Sequence, residues 1–208
     1  MDVSNFIEVW KVPGVTAFLT ALLGLLGQNW LTKRREERVN QFTRDKEEQV
    51  RIENLRYQAL RVVLALEKFA ISCAGIVSDA DMYRDSRGSA GSKVFVLPCL
   101  MLPDDTDWKY FEIATASKIL AFENQISDSN NSISFDLSMS GDPEGTDEAE
   151  VQAGLCGYIA IQLADGLRRE HELGVRLKPL HGWDYVAALK TMHDRKQEFY
   201  KQVRALRD

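Results

Sequence analysis

The longest apolar stretch of the chain lies near its start, over residues 12–31, and no residue between Lys11 and Lys33 carries a charge. At about 1.5 Å of rise per residue, a helix of roughly 20 residues crosses the roughly 30 Å hydrocarbon core of a bilayer. The pattern therefore predicts one transmembrane helix over residues 12–32, preceded by a short external tail over residues 1–11.

Two other interpretations of this stretch stay open, a cleaved signal peptide and a buried helix of a wholly soluble protein. A signal peptide begins with a basic region, whereas Asp2 and Glu8 precede Lys11 here and no Ala-x-Ala-like site follows. A helix that is apolar on all sides needs the centre of a large core, which 208 residues barely supply. Trp10 and Trp30 bracket the stretch where indole rings settle among headgroups, which favours a span.

A cluster of basic residues follows the predicted span directly. It consists of Lys33, Arg34, Arg35 and Arg38. Cytoplasmic flanks carry the excess of Lys and Arg, so the cluster predicts an external N-terminus and a cytoplasmic C-terminal domain at the inner or plasma membrane. The same four residues are candidates for contact with anionic lipid headgroups.

Small residues recur along the predicted span at alternating intervals of three and four. The face consists of Gly14, Ala17, Ala21, Gly24 and Gln28. Small side chains let helix backbones approach closely in a membrane, so this face is a candidate for helix–helix association. An alternative function uses a related side to line a path through the bilayer, as in a small oligomeric pore. Its residues are Thr16, Thr20, Gly24, Gly27 and Gln28.

Beyond the span, residues 33–51 contain strong helix formers and few apolar residues, which predicts a polar helical stalk. Apolar residues then recur every three or four positions from Ile52 to Ile76, as expected for a packed helix. Leu64 and Ile71 belong to a second apolar stripe of this helix. We therefore expect it to be covered on most sides between about residues 59 and 77, and to be the central helix of a bundle.

Three more helices are predicted, from about 103 to 126, 147 to 173 and 183 to 206. Gly-rich and Ser-rich stretches predict mobile loops near residues 85–104 and 127–146. Within the first loop, residues 94–102 are apolar and are interrupted by a proline, which predicts a buried extended segment or, alternatively, a membrane-inserting hairpin. The predicted fold is all-α, with an antiparallel cytoplasmic bundle of about four helices over residues 52–208.

Composition supports one membrane crossing, since 27% of the residues are charged and the mean hydropathy is −0.26. The net charge of −5 argues against nonspecific nucleic-acid binding. Residues 119–167 hold acidic residues and no basic ones, which indicates either a docking site for a basic partner or a solvated loop. Cys73, Cys99 and Cys156 have no C-x-x-C spacing and are predicted to be free thiols.

No catalytic motif accompanies these features. His171, His181 and His193 lack the Glu-x-x-His spacing of carboxylate-bridged metal sites, and no phosphate-binding or nucleophile motif occurs. The sequence predicts no enzyme activity, no cofactor and no metal. It favours a membrane-anchored module whose partners are the bilayer and either a second copy or another protein.

Overall fold

The computed structural model contains α-helices and one short 3-10 helix, and no strand occurs among the residues that it describes. The elements are α1 (Pro13–Asp85), the 3-10 helix (Trp108–Tyr110), α2 (Ile113–Ser140), α3 (Glu144–Glu170) and α4 (Tyr185–Ala205). Within the described residues, the predicted all-α fold with a bundle of about four helices is confirmed.

The structure describes residues 13–92, 94–140, 144–177 and 183–205. Within these ranges the side chains at 13–29, 31–32, 140, 144–146, 199–200 and 203–204 lie outside the description. The predicted tail over 1–11 also lies outside it.

The predicted membrane helix falls largely on positions without described side chains, although its backbone is helical from Pro13. In the part of the chain that the structure describes, no helix is both long enough and apolar enough to cross a membrane. The described residues therefore give the predicted span no support beyond its helical backbone.

The chain divides into two compact units, Met1–Glu53 and Asn54–Asp208. In the first unit, every side chain of the predicted stalk from Lys33 onward is exposed. The second unit contains the helical bundle and its apolar core.

The central helix of the bundle is α3, which contacts the other three helices. Gly154 and Gly157 let α4 approach closely, because a Cβ at Gly154 would overlap Met192 and one at Gly157 would lie 2.7 Å from a Leu189 methyl carbon. Small buried residues continue this close-packed surface along the helix. They include Ala149, Ala153, Cys156, Ala160 and Ala164. Small side chains on several faces let neighbouring helices pack around one helix, which explains the central position of α3.

The neighbours of α3 run antiparallel to it. On α1, Glu67 pairs with Arg168 and Arg84 pairs with Glu150, so the residue numbers rise on one helix as they fall on the other. On α4, Lys196 reaches the Glu148 carboxylate at 3.0 Å. Glu148 and Glu150, two acidic residues of the region over 119–167 that was predicted to be negative, therefore form ion pairs between helices.

α1 also packs against α2. The Phe69 and Phe122 rings meet edge to face, with centroids 5.6 Å apart, and both side chains are buried. The core face of α1 holds further apolar residues at intervals of three and four, as predicted. They are Ala59, Val62, Leu66, Ala70, Cys73 and Val77.

The prediction of a loop over residues 127–146 is wrong for residues 127–140, which are helical in α2. Ser and Asn are poor helix formers, but tertiary contacts hold this half of the helix. Ile133 is fully buried, the Ser129 hydroxyl lies 3.3 Å from the Cys156 sulfur, and the Asn130 side-chain oxygen accepts the Leu97 N–H at 2.8 Å. Packing overrides propensity here.

The helix break predicted at Asp85 falls where α1 ends. The turn that follows packs back on α1: Gly91 has a φ of +84°, and its Cα approaches the Tyr83 backbone so closely that a Cβ would lie 2.8 Å from the Tyr83 nitrogen. Segment 94–102 lacks regular structure; Leu97 is buried, whereas Met101 is exposed. The prediction of a buried segment therefore holds only for part of it.

Candidate functional site

The four basic residues that we predicted to set the membrane orientation and to contact lipid headgroups lie together on an exposed stretch of α1. Lys33, Arg34, Arg35 and Arg38 are all exposed. The Arg34 guanidinium stacks over the Trp30 ring one turn earlier, 4.0 Å from its centroid. A cation stacked on an indole combines the two side-chain types that are enriched where helices leave a bilayer.

The predicted association face within the span cannot be placed in the same way. Gly14, Ala17, Ala21, Gly24 and Gln28 have helical backbones in α1, but their side chains lie outside the described residues. The association role of these positions stays a prediction.

A second surface lies on α1 in the bundle, opposite its core face. We call it the uncovered α1 face and define it by six residues that share one side of the helix: Tyr57, Leu64, Lys68, Ile71, Gly75 and Met82. Tyr57, Leu64 and Ile71 are 60%, 53% and 52% exposed. These three apolar side chains are a candidate for contact with another molecule.

This surface corrects the prediction that α1 is the central helix. Leu64 and Ile71 were expected to be covered, but the bundle covers only the opposite side of α1 and places α3 in the centre. Helical spacing shows that two side chains share a face, and it does not show whether that face meets the core or an external partner.

Arg61 borders the uncovered α1 face and is bound within the bundle. Its guanidinium donates to both Asp105 carboxylate oxygens, at 2.8 and 2.6 Å. This two-bond pairing lowers the pKa of Asp105 and raises that of Arg61. The charge of Arg61 is thus balanced by Asp105.

A third feature is an open cleft of about 920 Å³ beside the end of α3, lined by arginines and carboxylates. Several of its charged side chains are paired, some of them with residues outside the cleft lining. Arg168 donates to the Glu67 carboxylate at 3.0 and 3.1 Å and to the Gly174 carbonyl at 3.4 Å. Arg176 lies 3.6 Å from Asp165.

The described histidines occupy separate surroundings. His171 is buried edge-on against Phe111, with its Nε2 3.5 Å from a Glu170 oxygen, whereas His193 of α4 lies against Tyr158 of α3 with the two rings tilted by 51°. His181 lies outside the described residues. Among the described residues, no three metal-ligating side chains come together as a candidate metal site.

Two of the three cysteines are buried in the core. Burial raises the pKa of the Cys73 thiol, and the neighbouring Cys156 raises it further. Burial also raises the pKa of Cys156, against a smaller lowering by its hydrogen bond with Ser129. Both thiols are held in the protonated form, which is the unreactive one. Cys99 is exposed.

Comparisons with known proteins provide no family for this chain. No family model matches it, and searches of the curated proteins and of the solved structures find no similar protein.

Proposed function

We propose that the chain is a single-pass, membrane-anchored, noncatalytic helical module that acts on the cytoplasmic side through self-association or by binding a protein partner. The observation that carries the proposal is the unbroken α1 backbone from Pro13 to Asp85. Residues 13–32 of the uncharged stretch and the first helix of the bundle core belong to this one element.

The membrane part of the proposal is supported by length and by flanking charge. About 20 uncharged residues suffice for one crossing, and a helical backbone satisfies its own hydrogen-bonding groups, as a span in lipid requires. The exposed basic cluster beginning at Lys33 favours retention of the following residues in the cytoplasm. The Arg34–Trp30 stack is suited to the headgroup layer.

The interaction part of the proposal is supported by the uncovered α1 face. Leaving Leu64 and Ile71 half exposed forgoes burial worth on the order of 1 kcal/mol per side chain. Confinement to a membrane surface would also raise the local concentration of modules, so that a weak contact suffices. A binding role fits this combination better than a role inside the bundle.

The noncatalytic part of the proposal is supported by the surroundings of the reactive side-chain types. The thiols of Cys73 and Cys156 are buried with raised pKa values, and the Arg168 guanidinium is already bound to Glu67. A catalytic site instead requires reactive groups that converge on an accessible position.

Fractionation of cells that express the full chain tests the anchor. We expect the protein to remain in the membrane pellet after an alkaline carbonate wash. The paired substitutions Leu22→Arg and Leu25→Arg should release it, since an arginine at the centre of a span costs about 2.5–3.5 kcal/mol.

The matched control introduces the same charges at Val39→Arg and Phe42→Arg, two exposed positions of α1. This variant should stay in the pellet. Wild-type protein in the soluble fraction, or release of both double variants alike, would contradict a membrane anchor.

A further inference from the structure

We draw no further inference here: the strongest candidate, the uncovered α1 face with its half-exposed Leu64 and Ile71, carries none because nothing among the described residues shows what covers it.

Discussion

Glu67 of α1 and Arg168 of α3 form a two-bond ion pair across 101 residues of sequence, and both side chains are nearly buried. The same guanidinium donates to the Gly174 carbonyl just beyond α3. One arginine therefore joins two helices and the chain that leaves the second. Each of the three guanidinium nitrogens donates one hydrogen bond, and the side chain is 12% exposed.

Removing one member of this pair should destabilise the bundle more than removing both. Arg168→Met leaves the Glu67 carboxylate buried and unpaired, and we expect a loss of about 3 kcal/mol in the free energy of unfolding. The double variant with Glu67→Met should recover at least half of that loss. Urea unfolding of both single variants and the double variant measures the coupling; additive losses would show that the pair is not coupled.

Two glycines of α3 should respond in opposite directions to alanine. Gly154→Ala places a Cβ against Met192 and should destabilise the bundle by about 1–3 kcal/mol through overpacking. Gly166→Ala meets no atom within 4 Å and should stabilise it by up to about 1 kcal/mol through helix propensity. Thermal unfolding compares the two; equal effects would mean that α4 does not approach Gly154 closely.

Stability should fall at alkaline pH because of the buried thiols. Their raised pKa values mean that the folded state keeps a proton that the unfolded state releases near pH 8.5–9. Their contribution is therefore complete below that pH and is lost as pH rises, at up to about 1.4 kcal/mol per pH unit for each thiol.

Urea midpoints between pH 7 and pH 10.5 measure this slope. Cys73→Ala should flatten it, whereas Cys99→Ala, at an exposed thiol, should leave it unchanged. An equal slope of stability against pH in the wild type and both variants would mean that other groups cause the loss of stability at alkaline pH.

The second half of α2 should depend on its tertiary contacts. Ile133→Ala removes a fully buried side chain and should cost about 3 kcal/mol. At the exposed positions Asn131 and Ser134, alanine should instead stabilise the helix by a few tenths of a kcal/mol each, since alanine is the better helix former. Amide exchange over 127–140 reports both effects; unchanged protection in Ile133→Ala would contradict the dependence.

Neutralising the basic cluster should disturb the orientation of the protein in the membrane. With Lys33, Arg34, Arg35 and Arg38 all replaced by Gln, Lys11 becomes the only basic residue near the predicted span. We expect a fraction of molecules to place the C-terminal domain outside, where protease added to intact cells digests it. If the C-terminal domain of this variant stays fully protected from the protease, these residues do not set the orientation.

Within the described residues, sequence periodicity predicted the core faces of α1 and α4 well, but not the buried face of α3, which consists mainly of small residues. The buried residues of α1, such as Val62 and Leu66, and those of α4, such as Leu189, lie where helical spacing places them. Apolar side chains at such spacing share one side of a helix by geometry, whatever the helix then contacts.

Two features could not be predicted for physical reasons. Residues 127–140 have low helix propensity, and contacts such as that between Leu97 and Asn130, remote in sequence, decide their structure. The exposure of Leu64 and Ile71 was missed because an apolar stripe has the same pattern in a core and in an interface.

The antiparallel packing of α1 on α3 has a consequence for biosynthesis. The partner of Glu67 is made 101 residues later, which at 5–20 residues per second is about 5–20 s of translation. Throughout that interval the core side of α1 has emerged from the ribosome without α3 to shield it. Nascent chains are then exposed to aggregation, so we expect the yield of this protein to depend on chaperones that hold α1 until translation has passed α3.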